Sequence, residues 1–219
     1  MTTDLNIMYK LPHFTAKNQD EILEFMHQNN FITLIGSDGE YPVATQVPVK
    51  TVVNGDSIKL IGHIMTKTDH CKAFEQNPKV MAIFTGAHAY ISASVYEKPA
   101  SVSTWNYKTV QAKGTIRLMD SEETYQVIKE LTNKYEDPET SPAAFNKMDE
   151  AYIQKHLKAI TGFEVSVSHI DHVFKLSQNH SAKNQESIIA NLEKSEDPVA
   201  KEVAKEMNKS MKDSSLRSE

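Results

Sequence analysis

The sequence predicts a mainly β protein with peripheral helices, an α+β chain organised around an antiparallel barrel. Three observations carry that expectation. Short extended segments bounded by turn residues recur from Phe31 to Ile170, the helical segments are few and separately capped, and no strand–helix–strand rhythm repeats along the 219 residues.

Taken in order, Asn18 with Glu21 three residues on has capping-box spacing, and Ile22, Leu23, Phe25 and Met26 give the following helix an apolar face up to Asn29-Asn30. Phe31 to Ile35 reads as a buried strand and Ser37-Asp38-Gly39 as a turn. Tyr41 to Val53 is extended but interrupted at Pro48, which lacks a ladder donor and marks an edge or a bulge. Asn54-Gly55 is a strong hairpin signal, with Ser57 to His63 as the return strand. Thr66 and Asp69 form a second capping box, opening a short helix to Phe74 that Asn77-Pro78 stops. Val80 to Thr85, Tyr90 to Tyr96 and Val102 to Arg117 follow as β segments, the last broken by Gly114. Asp120 and Glu123 cap a helix to about Tyr135, and Ser141-Pro142 announces another to about Lys158. Phe163 to Ile170 alternates as a strand does. Ser181 caps one further helix, and Asp197-Pro198 opens a last one with Val199, Val203, Met207 and Met211 on one stripe. The organisation expected is a barrel domain over 1–180, a helical extension over 181–211 and a flexible tail over 212–219.

Composition narrows the function classes. A net charge of −5 gives no general attraction for nucleic acid, so a duplex binder would need a local basic patch. The last helix carries Lys201, Lys205, Lys209 and Lys212, but Glu202 and Glu206 are interleaved, and from Ser181 onward seven basic residues meet eight acidic ones. With no helix-turn-helix signal, the expectation is no direct DNA binding. Cys71 is the single cysteine, which excludes an internal disulfide and a Cys-rich zinc site. His169 and His172 lie three apart on a strand pattern, on opposite faces, so no metal site is expected. No secretion leader is evident near the start, and no run approaches the roughly 18 apolar residues of a membrane span. The cytoplasm is the expected location, without a membrane partner.

Three stretches could carry chemistry. Around the first, a strand passes into a capped helix with Gly62, His63, Thr66, Lys67, Thr68 and Lys72 at the junction. Free N–H donors at a helix start, with Lys and Thr side chains beside them, suit a phosphate, although a capped surface helix with solvated lysines would read the same way. The second is Val102-Ser-Thr-Trp-Asn-Tyr: on a strand, Trp105 and Tyr107 share a face that could wall a flat aromatic ligand, while Asn106 points to the other side. A barrel core using a large aromatic residue would also account for it. The polar run Lys175-Leu-Ser-Gln-Asn-His, just after a strand, is either a loop reaching a ligand or a turn before the next helix.

Together with Tyr9 and Phe14, the segments Ala44 to Val49, Gly62-His63-Ile64, Tyr90 to Tyr96, Thr104 to Tyr107, Gly162-Phe163-Glu164 and Lys175 to Asn179 resemble the PaiB-type branch of the FMN-binding split β-barrels, described as FMN-binding negative transcriptional regulators. The resemblance runs to about Met207. It implies a split-barrel homodimer with FMN in a cleft between subunits. In that reading the strand holding Thr45, Gln46, Val47 and Pro48 lies along the isoalloxazine ring. Gly62, His63, Thr66, Lys67 and Lys72 take the phosphate, and Trp105, Asn106, Lys175 and Gln178 sit near the flavin or the dimer seam. The family's Ala-Arg-Ala-Asn-Pro after Gly-His-Ile is here Met65-Thr66-Lys67-Thr68-Asp69, so lysines stand where a bidentate arginine is usual. Three functions remain open: FMN binding with or without redox activity, a negative regulator acting without an evident DNA-binding motif, and a haem-binding relative. No catalytic acid, base or nucleophile is singled out.

Overall fold

In the computed structural model the described residues are 11–98 and 101–215, so Tyr9 and residues 216–219 of the expected tail lie outside them. The elements are α1 (Gln19–Gln28), β1 (Phe31–Ser37), β2 (Pro42–Pro48), β3 (Lys50–Asn54), β4 (Ser57–Met65), α2 (Asp69–Gln76), β5 (Lys79–Ile91), β6 (Thr104–Leu118), α3 (Ser121–Tyr135), α4 (Glu150–Leu157), β7 (Ile160–Lys175), α5 (Ala182–Glu193) and α6 (Pro198–Ser215). The strands form one seven-stranded sheet in the order β2-β1-β5-β6-β7-β4-β3. Its two edges are β2 and β3, and in the chain only Val49 separates them. A sheet whose opposite edges are one residue apart must curl onto itself, which makes it a barrel.

The contacts group into two compact units. The first comprises residues 1–25, 85–110 and 171–219, and the second residues 26–84 and 111–170, so β5, β6 and β7 contribute residues to both.

The second unit holds the barrel. Along β4, Ile58, Leu60, Gly62 and Ile64 are buried while the residues between them are not, the period-2 signature of a strand with one face inward. Leu34, Leu60, Phe74, Phe84, Phe163 and Val165 fill the interior. β4 pairs antiparallel with β3 on one side and β7 on the other, Gly62 lying opposite Phe163. A Cβ on Gly62 would stand 2.9 Å from the Pro48 carbonyl oxygen and 2.8 Å from the Phe163 ring, so only glycine lets the β2–β3 corner close against β4. Pro48 thus marks an edge, as its missing N–H requires. The β3–β4 hairpin turns on Gly55-Asp56, with Gly55 at φ +57°. At the β1–β2 turn Asp38 accepts the Glu40 and Tyr41 N–H groups at 2.8 and 2.7 Å, and these bonds hold its carboxyl below the usual range.

The helix caps partly match the sequence. Asp120 and Glu123 form a reciprocal capping box on α3, and Ser181 caps α5 through the Asn184 N–H. Asn18 caps α1, its Oδ1 accepting the Glu21 N–H at 3.0 Å, while the Glu21 carboxylate accepts the Lys17 N–H at 2.7 Å. Elsewhere the expectations need correction. α2 is capped by Thr68, two residues later than read, because the Thr66 N–H and hydroxyl both go to the Ala159 carbonyl. Ser141-Pro142 opens no helix, since the Ser141 hydroxyl donates to Glu136; Asp149 caps α4 instead. β5 runs unbroken to Ile91, and residues 93–95 form a 3-10 turn rather than a strand. Gly114 does not break β6, for it is where Ser166 of β7 comes closest. On α6, Val203 and Met207 are buried as expected but Val199 is exposed.

In the first unit, α5 and α6 bury Ile188, Leu192, Val203 and Met207 against Ile91, Tyr96 and Leu176. Each fully buried aliphatic side chain of this size contributes roughly 1.5–3 kcal/mol. These contacts hold the end of β5 and the loop after β7 in place, and two candidate site residues lie there, Lys175 at the end of β7 and Gln178 in the loop.

Candidate functional site

Nine candidate residues lie in the barrel unit. Of those on β2, Val47 is buried and faces inward, Gln46 is exposed, and Thr45 and Pro48 are half-buried. Val47 can therefore meet a ligand only through its backbone, while Gln46 offers a free amide side chain on an edge strand. A cavity of about 550 Å³ opens at the β2–β3 corner. Pro48, Val49, Ile61 and Gly62 form one wall and Val127 and Leu131 of α3 the other, with Lys50 and Lys134 among its polar lining. The Lys50 ammonium is held 2.8 Å from Glu130, both largely exposed.

At the β4–α2 junction two of the helix-start N–H donors are already engaged. The Cys71 N–H binds Thr68 Oγ1 at 3.3 Å and the His70 N–H binds Asp69 Oδ1 at 2.7 Å. The Thr68 hydroxyl itself donates to the Met65 carbonyl at 2.9 Å. Lys67 and Lys72 are exposed, so the positive charge at this turn rests on two solvated ammonium groups rather than on open amides. Cys71 is buried, and burial followed by the nearby Glu75 pushes its thiol up, which removes it as a nucleophile.

His63 sits opposite Gly162 on β4 with a buried Nδ1 that has no hydrogen-bond partner. Burial pushes its pKa below the ordinary imidazole value of 6.5. The fold holds the ring neutral, so its titration takes nothing from stability above the ordinary value, and stability is lost as pH falls from there through the lowered one. The urea midpoint is expected to drop more between about pH 7 and pH 5 in the native chain than in a His63→Gln variant. Identical slopes would show that the ring protonates freely in the fold.

The remaining four candidates lie in the other unit. Trp105 is half exposed, with the rings of His88 and Tyr90 at centroid distances of 6.0 and 5.9 Å. Asn106 points to the opposite face and is fully buried; its amide Nδ2 donates to Ser177 Oγ at 2.9 Å and reaches Met207 Sδ at 3.4 Å, while its Oδ1 accepts the Ser177 hydroxyl. Ser177 occupies left-handed backbone at φ 63°, a conformation that costs a non-glycine residue energy and that Asn106 compensates. Gln178 closes the same turn, its Oε1 accepting the Leu176 N–H at 2.7 Å and its Nε2 donating to the Phe174 carbonyl. Asn106 and Gln178 thus have their polar atoms committed to the shape of the loop after β7. Lys175 is different: its ammonium donates to Thr104 Oγ1 and the Trp105 carbonyl, and burial lowers its pKa.

Sequence reading missed Lys108 and Glu206, a part-buried ion pair at 2.7 Å between β6 and α6. Nothing local signals a pair 98 residues apart. Among the described residues no group of three or more His, Cys, Asp or Glu side chains is placed to hold a metal, and no helix is long and apolar enough to cross a membrane.

Comparison with known proteins places this geometry. The family model described as "Putative FMN-binding domain" matches residues 8–169. The chain is 31% identical over 205 residues to the protease synthase and sporulation protein PAI 2 of Bacillus subtilis, which covers 94% of this chain and 99% of that protein. Among solved structures, the FAD and heme binding protein from Mycobacterium smegmatis superposes with a TM-score of 0.57 at 15% identity, covering 80% of this chain and 78% of that one. The flavocytochrome Anf3 from Azotobacter vinelandii gives a TM-score of 0.56 at 12% identity, covering 73% and 68%. At such identities the two structures establish the shared fold.

Proposed function

We propose, from a chain that belongs to the family of FMN-binding domains related to PAI 2, that this protein holds FMN on its barrel unit. The observation that carries the reading is the cavity at the β2–β3 corner, in which two of the candidate residues, Pro48 and Gly62, meet the apolar side chains of α3. About 550 Å³ with mainly apolar walls and a few polar groups is the usual character of a cofactor pocket. Pro48, Val49 and Ile61 would lie against the ring, and the exposed Gln46 and Thr45 would offer polar contacts along the edge of β2. Lys67 and Lys72 would hold the phosphate as point charges, since the Thr66 N–H and hydroxyl are spent on the Ala159 carbonyl and the His70 and Cys71 amides of α2 bind Asp69 and Thr68. Bound flavin supplies one- and two-electron transfer, and the protein's part is to orient the ring and shape its electrostatics.

The chain acts, in this proposal, as a cytoplasmic homodimer without direct contact to DNA. The exposed rings of Tyr90 and Trp105 give self-association an apolar surface, and the −5 net charge argues against a phosphate backbone as partner. A haem reading draws on one observation, the buried and unpartnered Nδ1 of the half-buried His63.

The purified chain mixed with FMN and desalted is expected to retain flavin absorption bands, with the dimer mass by light scattering. Lys67→Ala/Lys72→Ala together should weaken retention by about tenfold or more, the usual worth of lost charge-assisted bonds. A protein that retains no flavin overturns the reading, and a Soret band with haem in its place favours the alternative.

A further inference from the structure

The barrel cavity leaves unused a second hollow of about 300 Å³, which lies in the other unit beside the loop that follows β7. Its lining includes Lys175, Thr104, His13, Asn179 and His180, and among the described residues no Asp or Glu side chain contributes to it. Every polar side chain on that list can donate a hydrogen bond. The Lys175 ammonium has three N–H groups and spends two, on Thr104 Oγ1 and the Trp105 carbonyl. Thr104 accepts from Lys175, which leaves its own hydroxyl proton available. The His180 ring is steadied by stacking on Tyr96 at 4.7 Å, and Phe14 lies under the Lys175 ammonium at 5.8 Å. The loop itself is rigid because Asn106 and Gln178 lock Ser177 and Leu176.

We propose that this hollow is a binding site for a small oxyanion, a carboxylate or a phosphate group carried by a compact metabolite, with its charge on Lys175. A donor-rich pocket that contains a cation and no acid is complementary to such a group and to little else. Burial lowers the Lys175 pKa, and an anion bound beside the ammonium would offset that cost. At about 300 Å³ the space is at the small end of ligand pockets, suited to a molecule of a few carbons rather than a nucleotide. The site lies in a different unit from the cavity assigned to the flavin ring, and the proposal does not depend on that assignment.

The test uses the full-length chain, with inorganic phosphate and acetate as separate probes against chloride at equal ionic strength, read by thermal shift and calorimetric titration. At least one oxyanion is expected to stabilise and bind the native chain; phosphate alone or acetate alone identifies which source of the charge the site prefers. Lys175→Met should weaken that binding at least about tenfold and Lys175→Arg should retain most of it. FMN retention is read on the same Lys175→Met sample, since Lys175 is also a flavin-site candidate. No preference over chloride, or binding that survives Lys175→Met, overturns the proposal. Loss of FMN together with the anion in Lys175→Met would assign the pocket to the flavin and overturn it equally. If Lys175→Met does not fold, the exposed rim variant His13→Ala decides: weaker anion binding supports the site and unchanged binding rejects it.

Discussion

Gly114→Ala is expected to destabilise the barrel by about 3 kcal/mol, lowering the melting temperature by roughly 6–12 °C in a chain of this size. A Cβ at position 114 would lie 2.4 Å from the Ser166 carbonyl oxygen, 2.8 Å from Val165 Cγ1 and 3.0 Å from the Ser166 carbonyl carbon. Two of those three atoms are backbone. A side chain in the way can change rotamer, but a carbonyl in β7 moves only if the strand moves, and β7 is bonded to β4 on its far side through Lys59–Ser166 to Met65–Ile160. Gly36→Ala is the fitting comparison. Its Cβ would come within 2.6 Å of the Phe74 ring, a similar intrusion against a side chain. The Gly36 variant should therefore lose less stability than the Gly114 variant when both are melted under one set of conditions. The reverse order would mean that the β6–β7 spacing gives way more easily than a buried phenylalanine.

Gly114 also shows what the sequence made legible and what it hid. A glycine within a strand pattern signals a bulge, a break or a close approach, and only the neighbouring strand decides among them. The local signals were read well where the physics is local. The capping box of α3, the cap of α5, the Asp38 turn and the interruption at Pro48 all depend on residues within four positions of each other. Ser141-Pro142 misled because Ser141 is used by Glu136, and Thr66 misled because its hydroxyl is bonded 93 residues away to Ala159. The same divide runs through the site. Alternation alone put Trp105 and Asn106 on opposite faces, and the structure has one exposed and the other fully buried. That Asn106 would be spent on a left-handed serine 71 residues away could not be read from spacing. The cavity at the β2–β3 corner exists only because α3 packs over a barrel closed through Gly62, a relation among segments that no motif encodes.

The second large effect concerns the ion pair that ties α6 to β6, where the two partners are expected to behave unequally. The Lys108 ammonium lies 2.7 Å from Glu206, with side-chain exposures of 10% and 26%. It also stands 4.2 Å from the centre of the Phe174 ring and 5.2 Å from that of Phe25. Glu206→Ala leaves a buried ammonium with aromatic faces but no carboxylate, the situation in which breaking a buried pair costs about 3–5 kcal/mol. Lys108→Met removes the charge that needed a partner. The methionine keeps an unbranched apolar stem between the two rings, and Glu206, a quarter exposed, can turn its carboxylate to water. What is forfeited is the cation–π attraction and the pair's net worth, together about 1–2 kcal/mol. Urea midpoints should therefore rank Glu206→Ala well below Lys108→Met. The double variant should fall close to Lys108→Met alone, because once the ammonium is gone the carboxylate has nothing left to neutralise. Equal losses from the two single variants would show instead that the pair acts as a symmetric surface contact, and that α6 is held by the packing of Val203, Ala204 and Met207 without help from the charge beneath it.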